Sequence, residues 1–161
     1  MTNNRTFYDR KRPAHQPVHE HNVSSRIIYL TVCADKRKKI LAEPDVHNIL
    51  VSAWKEADVW LVGKYMIMPD HVHLFCSPVG VDYPALKTWV NYWKSNAARH
   101  WPDPDVGKVW QRDFWDTQLR RGDNYAEKWN YVLNNPVRAG FVAAPEDWPY
   151  QGELSELLWR N

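Results

Sequence analysis

The chain has 161 residues, a formal net charge of +2 and two cysteines. That length suits one domain able to bury a core without staples, and Cys33 and Cys76, each in an apolar run, form neither a disulfide framework nor a zinc-finger spacing. No apolar run approaches membrane-spanning length and the opening residues lack the apolar segment of a secretory signal, so the expectation is a soluble, cytoplasmic protein with no membrane partner.

Residues 1–24 are polar, carry Pro13 and Pro17, and show no period. They read as a basic arm ahead of a single domain over 25–161. "RIIYLTVCA" (Arg26 to Ala34) is β-branched and apolar and reads as a first strand, ended by a charged turn over Asp35 to Lys39. "EPDVHNILVSAWKEAD" places apolar residues at Val46, Ile49, Leu50, Ala53, Trp54 and Ala57, the spacing of an amphipathic helix. "VWLVGKYMIM" and "HVHLFCSP" follow as two strands joined by a tight turn at Pro69-Asp70, so they should form a hairpin.

A second helix is expected from Pro84 to before Pro102, with Leu86, Val90, Trp93 and Ala97 toward the sheet. A fourth strand is expected around Lys108 to Phe114. A third helix starts near Asp123 or Asn124, a suitable N-cap, and must stop by Asn135 because Pro136 follows. The order βαββαβ plus a helix predicts an α+β fold: a ferredoxin-like antiparallel sheet with two helices on one face and an additional C-terminal helix free to cover the other.

Charge is clustered rather than large. Arg5, Arg10, Lys11 and Arg12 open the chain; Lys36, Arg37, Lys38 and Lys39 form a second group; Arg112, Arg120 and Arg121 form a third. Ten tryptophans and eight tyrosines lie among them. Basic groups beside aromatic faces suit unpaired bases and their phosphates, although most such aromatics build cores and most charge runs are solvated turns. Arg5, Arg10, Lys11, Arg12, Lys36, Arg37, Arg112 and Arg120 are the candidate DNA contacts. His15, His19 and His21, in an irregular arm, suit solvated or DNA-contacting roles better than a second metal site.

The chemistry centres on His71 and His73 in "MPDHVHLF". One residue apart on a strand, they project from the same face while Val72 and Leu74 take the other, so two imidazoles can share a divalent ion; a merely hydrogen-bonded pair is the competing reading. In "WNYVLNNPVRAGFV", Tyr131 and Asn135 are four apart, the spacing of one helix face. An amide oxygen suits magnesium or manganese, and a phenol beside a metal-gripped phosphate is a credible nucleophile. A packed tyrosine and a capping asparagine would explain the same spacing. Tyr125, six residues earlier, falls on a different helix face.

These residues resemble a known family. "MPDHVHLF", "VWQRDFWDTQLR", "YVLNNPVRAGFV" and "PEDWPY" occur in the order of the motifs of the single-tyrosine HUH transposases, and most closely resemble the REP-associated tyrosine transposases, from about Ile27 to Tyr150. The resemblance implies that His71 and His73 are the metal-binding pair, Asn135 the third protein ligand and Tyr131 the catalytic nucleophile. It also implies a Mg2+- or Mn2+-dependent endonuclease and strand transferase that cuts single-stranded DNA at hairpins through a 5′-phosphotyrosine. Asp70 stands where asparagine is commoner, and "PYQGE" departs from the family's usual ending. The competing expectation is a hairpin-DNA binder or repressor on the same fold that does no cutting. Whether one chain or a homodimer completes the site is left open.

Overall fold

The computed structural model describes residues 26–120 and 123–158. The chain runs β1 (Ile28–Cys33), α1 (Pro44–Glu56), β2 (Trp60–Ile67), β3 (His71–Pro78), α2 (Leu86–Arg99), β4 (Trp115–Gln118), α3 (Tyr125–Leu133), α4 (Asn135–Arg138) and β5 (Gln151–Glu153). The strands form one sheet in the order β4-β1-β3-β2-β5, every pairing antiparallel. Its first four strands are the expected ferredoxin-like arrangement, and β5 extends it on the β2 edge. Among the described residues, no helix is long and apolar enough to cross a membrane.

Period-two alternation divides the sheet into two faces. Leu30 and Val32 of β1, Val72, Leu74 and Cys76 of β3, and Val62, Tyr65 and Ile67 of β2 join one core with Val46, Leu50, Ala53 and Trp54 of α1 and Trp89, Val90, Trp93 and Ala97 of α2. The β2–β3 register slips between Val62 and Tyr65, a bulge that lets two residues three apart both face this layer. The opposite face carries Met66 and Phe75 and is covered by Trp129 and Val132 of α3, with Trp148 and Leu157 from the C-terminal segment. The histidine face of β3 is therefore the α3 face.

Leu86, Val90, Trp93 and Ala97 all pack on the core beneath α2 as expected, Leu86 half-buried, and Trp89 joins them, its indole N–H donating to Ala57 O at 2.7 Å. Two points about the elements need correction. The fourth strand lies downstream of Lys108 to Phe114. There, Trp110 makes one isolated bridge to Ala34 and buries its ring, its Nε1 donating to Lys94 O, while Lys94 Nζ donates to the carbonyls of Gln111 and Arg112. A side chain thus satisfies the Gln111 and Arg112 carbonyls, and beyond the Trp110 bridge, where Gln111 N–H donates to Cys33 O, the continuous ladder with β1 starts at Trp115. β5, three residues long, was not anticipated.

Candidate active site

His71 and His73 stand side by side on β3 with their Nε2 atoms 3.1 Å apart. Each ring is held from behind. Asp70 Oδ1 lies 2.7 Å from His71 Nδ1, and since a carboxylate only accepts, that nitrogen carries a proton and Nε2 is the ring nitrogen turned toward His73. Arg37 Nε donates to the other Asp70 oxygen at 3.0 Å. Burial alone would raise the Asp70 carboxyl, but hydrogen bonds and charge from His71 and Arg37 outweigh it and bring the group below its ordinary value. Lys36 and Arg37 both adopt left-handed backbone, uncommon for residues with a side chain, in the turn that returns Arg37 to Asp70.

His73 Nδ1 meets the hydroxyls of Tyr29 at 2.8 Å and Thr31 at 3.0 Å, both from β1. The register supplies this clamp, because Thr31 lies directly opposite His73. Burial, followed by the charges of His71, Arg138 and Arg37, lowers the His73 pKa to about 3. The ring is neutral at any ordinary pH, with a nitrogen free to coordinate. A separation of 3.1 Å is about that of two adjacent ligands on one ion with bonds of roughly 2.1 Å, and rings fixed at Nδ1 by hydrogen-bonding partners are the usual arrangement of metal-binding histidines. The pair fits a divalent ion. Among the described residues, no three His, Cys, Asp or Glu side chains converge where they could hold a metal ion.

Tyr131 and Asn135 do not share one continuous helix. Pro136 has no N–H for the Val132 carbonyl and its ring would crowd that oxygen, so α3 stops at Leu133 and α4 starts at Asn135. Arg138 bridges the break. Its Nη2 donates to Tyr131 O at 2.7 Å and to Asn135 Oδ1, and its guanidinium lies 4.2 Å over the Tyr131 ring. The Tyr29 phenol, raised chiefly by burial, also feels the charges of Tyr131 and Arg138. Tyr29, which touches His73, packs on the cluster that holds Trp129 and Val132, so α3 lies over the histidine face of the sheet. Tyr131 itself is 69% exposed, open to a large substrate.

Arg138 was overlooked by sequence reasoning, although it lies within "NPVRAG". Its seven-residue offset from Tyr131 is two helical turns, a signal masked by the proline. Among the expected DNA contacts, Lys36, Arg112 and Arg120 are exposed, whereas Arg37 is tied to Asp70. Arg5, Arg10, Lys11, Arg12, Arg121 and the arm histidines lie outside the described residues.

The fold and site thus define an α+β domain whose central strand presents a histidine pair beside a tyrosine-bearing helix. The relatives it matches are REP-associated tyrosine transposases, the family that the sequence motifs resemble. One, from Haemophilus influenzae, is 31% identical over 96 residues, covering 52% of this chain and 53% of its own; another, from Escherichia coli, is 24% identical over 90 residues, covering 55% and 52%. The chain therefore spans about half the length of the curated relatives it matches. A solved structure described as a REP-associated tyrosine transposase bound to a REP hairpin superposes with a TM-score of 0.65 at 18% identity, over 81% of this chain and 78% of that one, which shows the shared fold. No family model matches the chain.

Proposed function

We propose that the chain is a tyrosine transposase, a metal-dependent endonuclease and strand transferase acting in the cytoplasm on single-stranded DNA at hairpins. One observation carries this reading: two imidazole nitrogens converge at 3.1 Å on the sheet face that α3 covers, and α3 bears an exposed tyrosine that a guanidinium braces. The likeness to REP-associated tyrosine transposases supports it, as does the hairpin-bound state of the protein that shares the fold.

His71 and His73 would hold a magnesium or manganese ion, with Asn135 as third protein ligand, since its amide oxygen has a second lone pair beside the one Arg138 occupies. When bound, the ion neutralises charge on the phosphodiester. Tyr131 Oη attacks the phosphorus, a Tyr–O–P bond forms, the P–O3′ bond breaks and the phenolic proton ends on the departing 3′ oxygen. Arg138 keeps the Tyr131 ring and Asn135 in fixed relation and holds positive charge next to where the phosphate arrives. Rejoining reverses the step, as a 3′-hydroxyl attacks the phosphotyrosine and restores both the phosphodiester and the phenol. The count of phosphoester bonds is unchanged, so no nucleotide cofactor is required.

Denaturing electrophoresis after incubation with a single-stranded hairpin oligonucleotide and manganese tests the reading. A protein-DNA adduct that survives denaturation is the expected result. Bound but uncut DNA would favour a hairpin binder, and cut DNA without adduct would replace Tyr131 by water as the nucleophile.

A further inference from the structure

The geometry points to Trp115 as a stacking platform for an unpaired base of the strand being cut, one to three nucleotides from the scissile phosphate; this rests on the reading of the site given above. Trp115 begins the edge strand β4 and is 73% exposed, the most exposed of the chain's described large apolar side chains. Its Cα partner across the ladder is Thr31, whose own partner on the other side is His73. Residues directly opposite one another in antiparallel strands project from the same face. Thr31 bonds His73 from that face, so Trp115 stands in the same row as the histidine pair and on its open, edge-strand side.

Two strand spacings of about 4.8 Å put the Trp115 backbone roughly 10 Å from that of His73. Stacked nucleotides rise about 3.4 Å each, so a strand whose phosphate sits at the histidines reaches the indole within about three nucleotides, and fewer if extended. Charge suits a nucleic-acid strand. Exposed Arg112 and Arg120 lie just before and just after β4 in the chain. Of the acids near β4, Asp116 pairs with Leu30, a residue of the opposite core, and Asp123 accepts from the Arg120 backbone N–H. An exposed indole in the same row as the histidine pair has the chemistry that receives a base without reading its identity.

The test measures binding by the full chain of a hairpin oligonucleotide with single-stranded flanks, with one abasic site moved stepwise along each flank. For the wild type, affinity should fall about tenfold at one position within three nucleotides of the cut. Trp115→Ala should bind the intact DNA about tenfold more weakly and lose nothing further at that position, while Trp115→Phe keeps most of the affinity. If Trp115→Ala shows the same abasic profile as the wild type, the inference is overturned. It is also overturned if the substitution instead converts a dimer to a monomer by sedimentation, which would give the ring to a second copy. Adduct formation on the same DNA is scored separately: coupling without adduct sustains the platform and removes the cleavage reading, whereas adduct without coupling removes the platform alone.

Discussion

Two tyrosines on α3, six residues apart, have been given opposite work by their surroundings. The Tyr125 phenol is pressed against the sheet beside Phe75 and accepts a hydrogen bond from the Lys64 backbone N–H at 3.0 Å. Burial carries its pKa to about 12. It fits only because Gly63 has no side chain, since a Cβ there would lie 2.6 Å from the Tyr125 oxygen and from Leu157. Tyr131, at the other end of the helix, is exposed and bonded through its ring and carbonyl to Arg138. One phenol is packed against the sheet as structure and the other is offered to solvent on the helix that covers the histidine face. Residue type therefore says little here; the face of the helix and the neighbours decide.

The largest effect expected is on the side of Tyr131. A His71→Ala, His73→Ala double variant should lose cutting by at least about 10³-fold, and excess chelator should do the same to the wild type. Circular dichroism should show the fold retained. Undiminished cutting in either case would separate the histidines from the reaction.

Arg138→Ala should slow cutting by roughly 10- to 100-fold with little change in hairpin affinity, because the guanidinium orders Tyr131 and Asn135 relative to each other. Arg138→Lys, which keeps charge without the fork, should recover only part of the rate. An alanine variant at full speed would leave the ring contact without a role.

The smallest effect belongs to Tyr125. Tyr125→Phe should cut normally and lose about 1 kcal/mol of stability, the hydrogen bond to Lys64 N–H being its one altered contact. The pH dependence follows from the raised pKa. Between the unfolded value of 10 and the folded value of about 12 the native chain holds the proton that the unfolded chain has lost, so stability falls as pH rises through that window. After allowing for partial exposure, Tyr125 contributes on the order of 1–2 kcal/mol of that fall. Tyr29 and Tyr65 are raised by burial too, so denaturant titrations of Tyr125→Phe from pH 9 to 12 should show a shallower decline rather than a flat line. An unchanged decline would mean that Tyr125 is not packed against the sheet.

Much of this was legible in the sequence because it depends on period. The alternation of "HVHLFC" put both histidines on one face, and the apolar spacing of α1 and α2 gave the layer that covers the other. β4 was misplaced because its side chains are exposed at all four positions, so no alternation marks it, while Trp110 upstream mimics a strand residue and is buried by packing. The clamp of Tyr29 and Thr31 on His73 depends on strand register, a property of the assembled sheet. Arg138 was hidden for a similar reason: its contact with Tyr131 spans a proline break that helical spacing alone does not cross.

The central claim, that surroundings make Tyr131 and not Tyr125 the nucleophile, is tested most directly by peptide mass spectrometry of the protein-DNA adduct. The wild type and Tyr125→Phe should carry the nucleotide mass on the peptide containing Tyr131, and Tyr131→Phe should bind the hairpin yet carry none. An adduct retained in Tyr131→Phe, or mapped to Tyr125, would contradict the account.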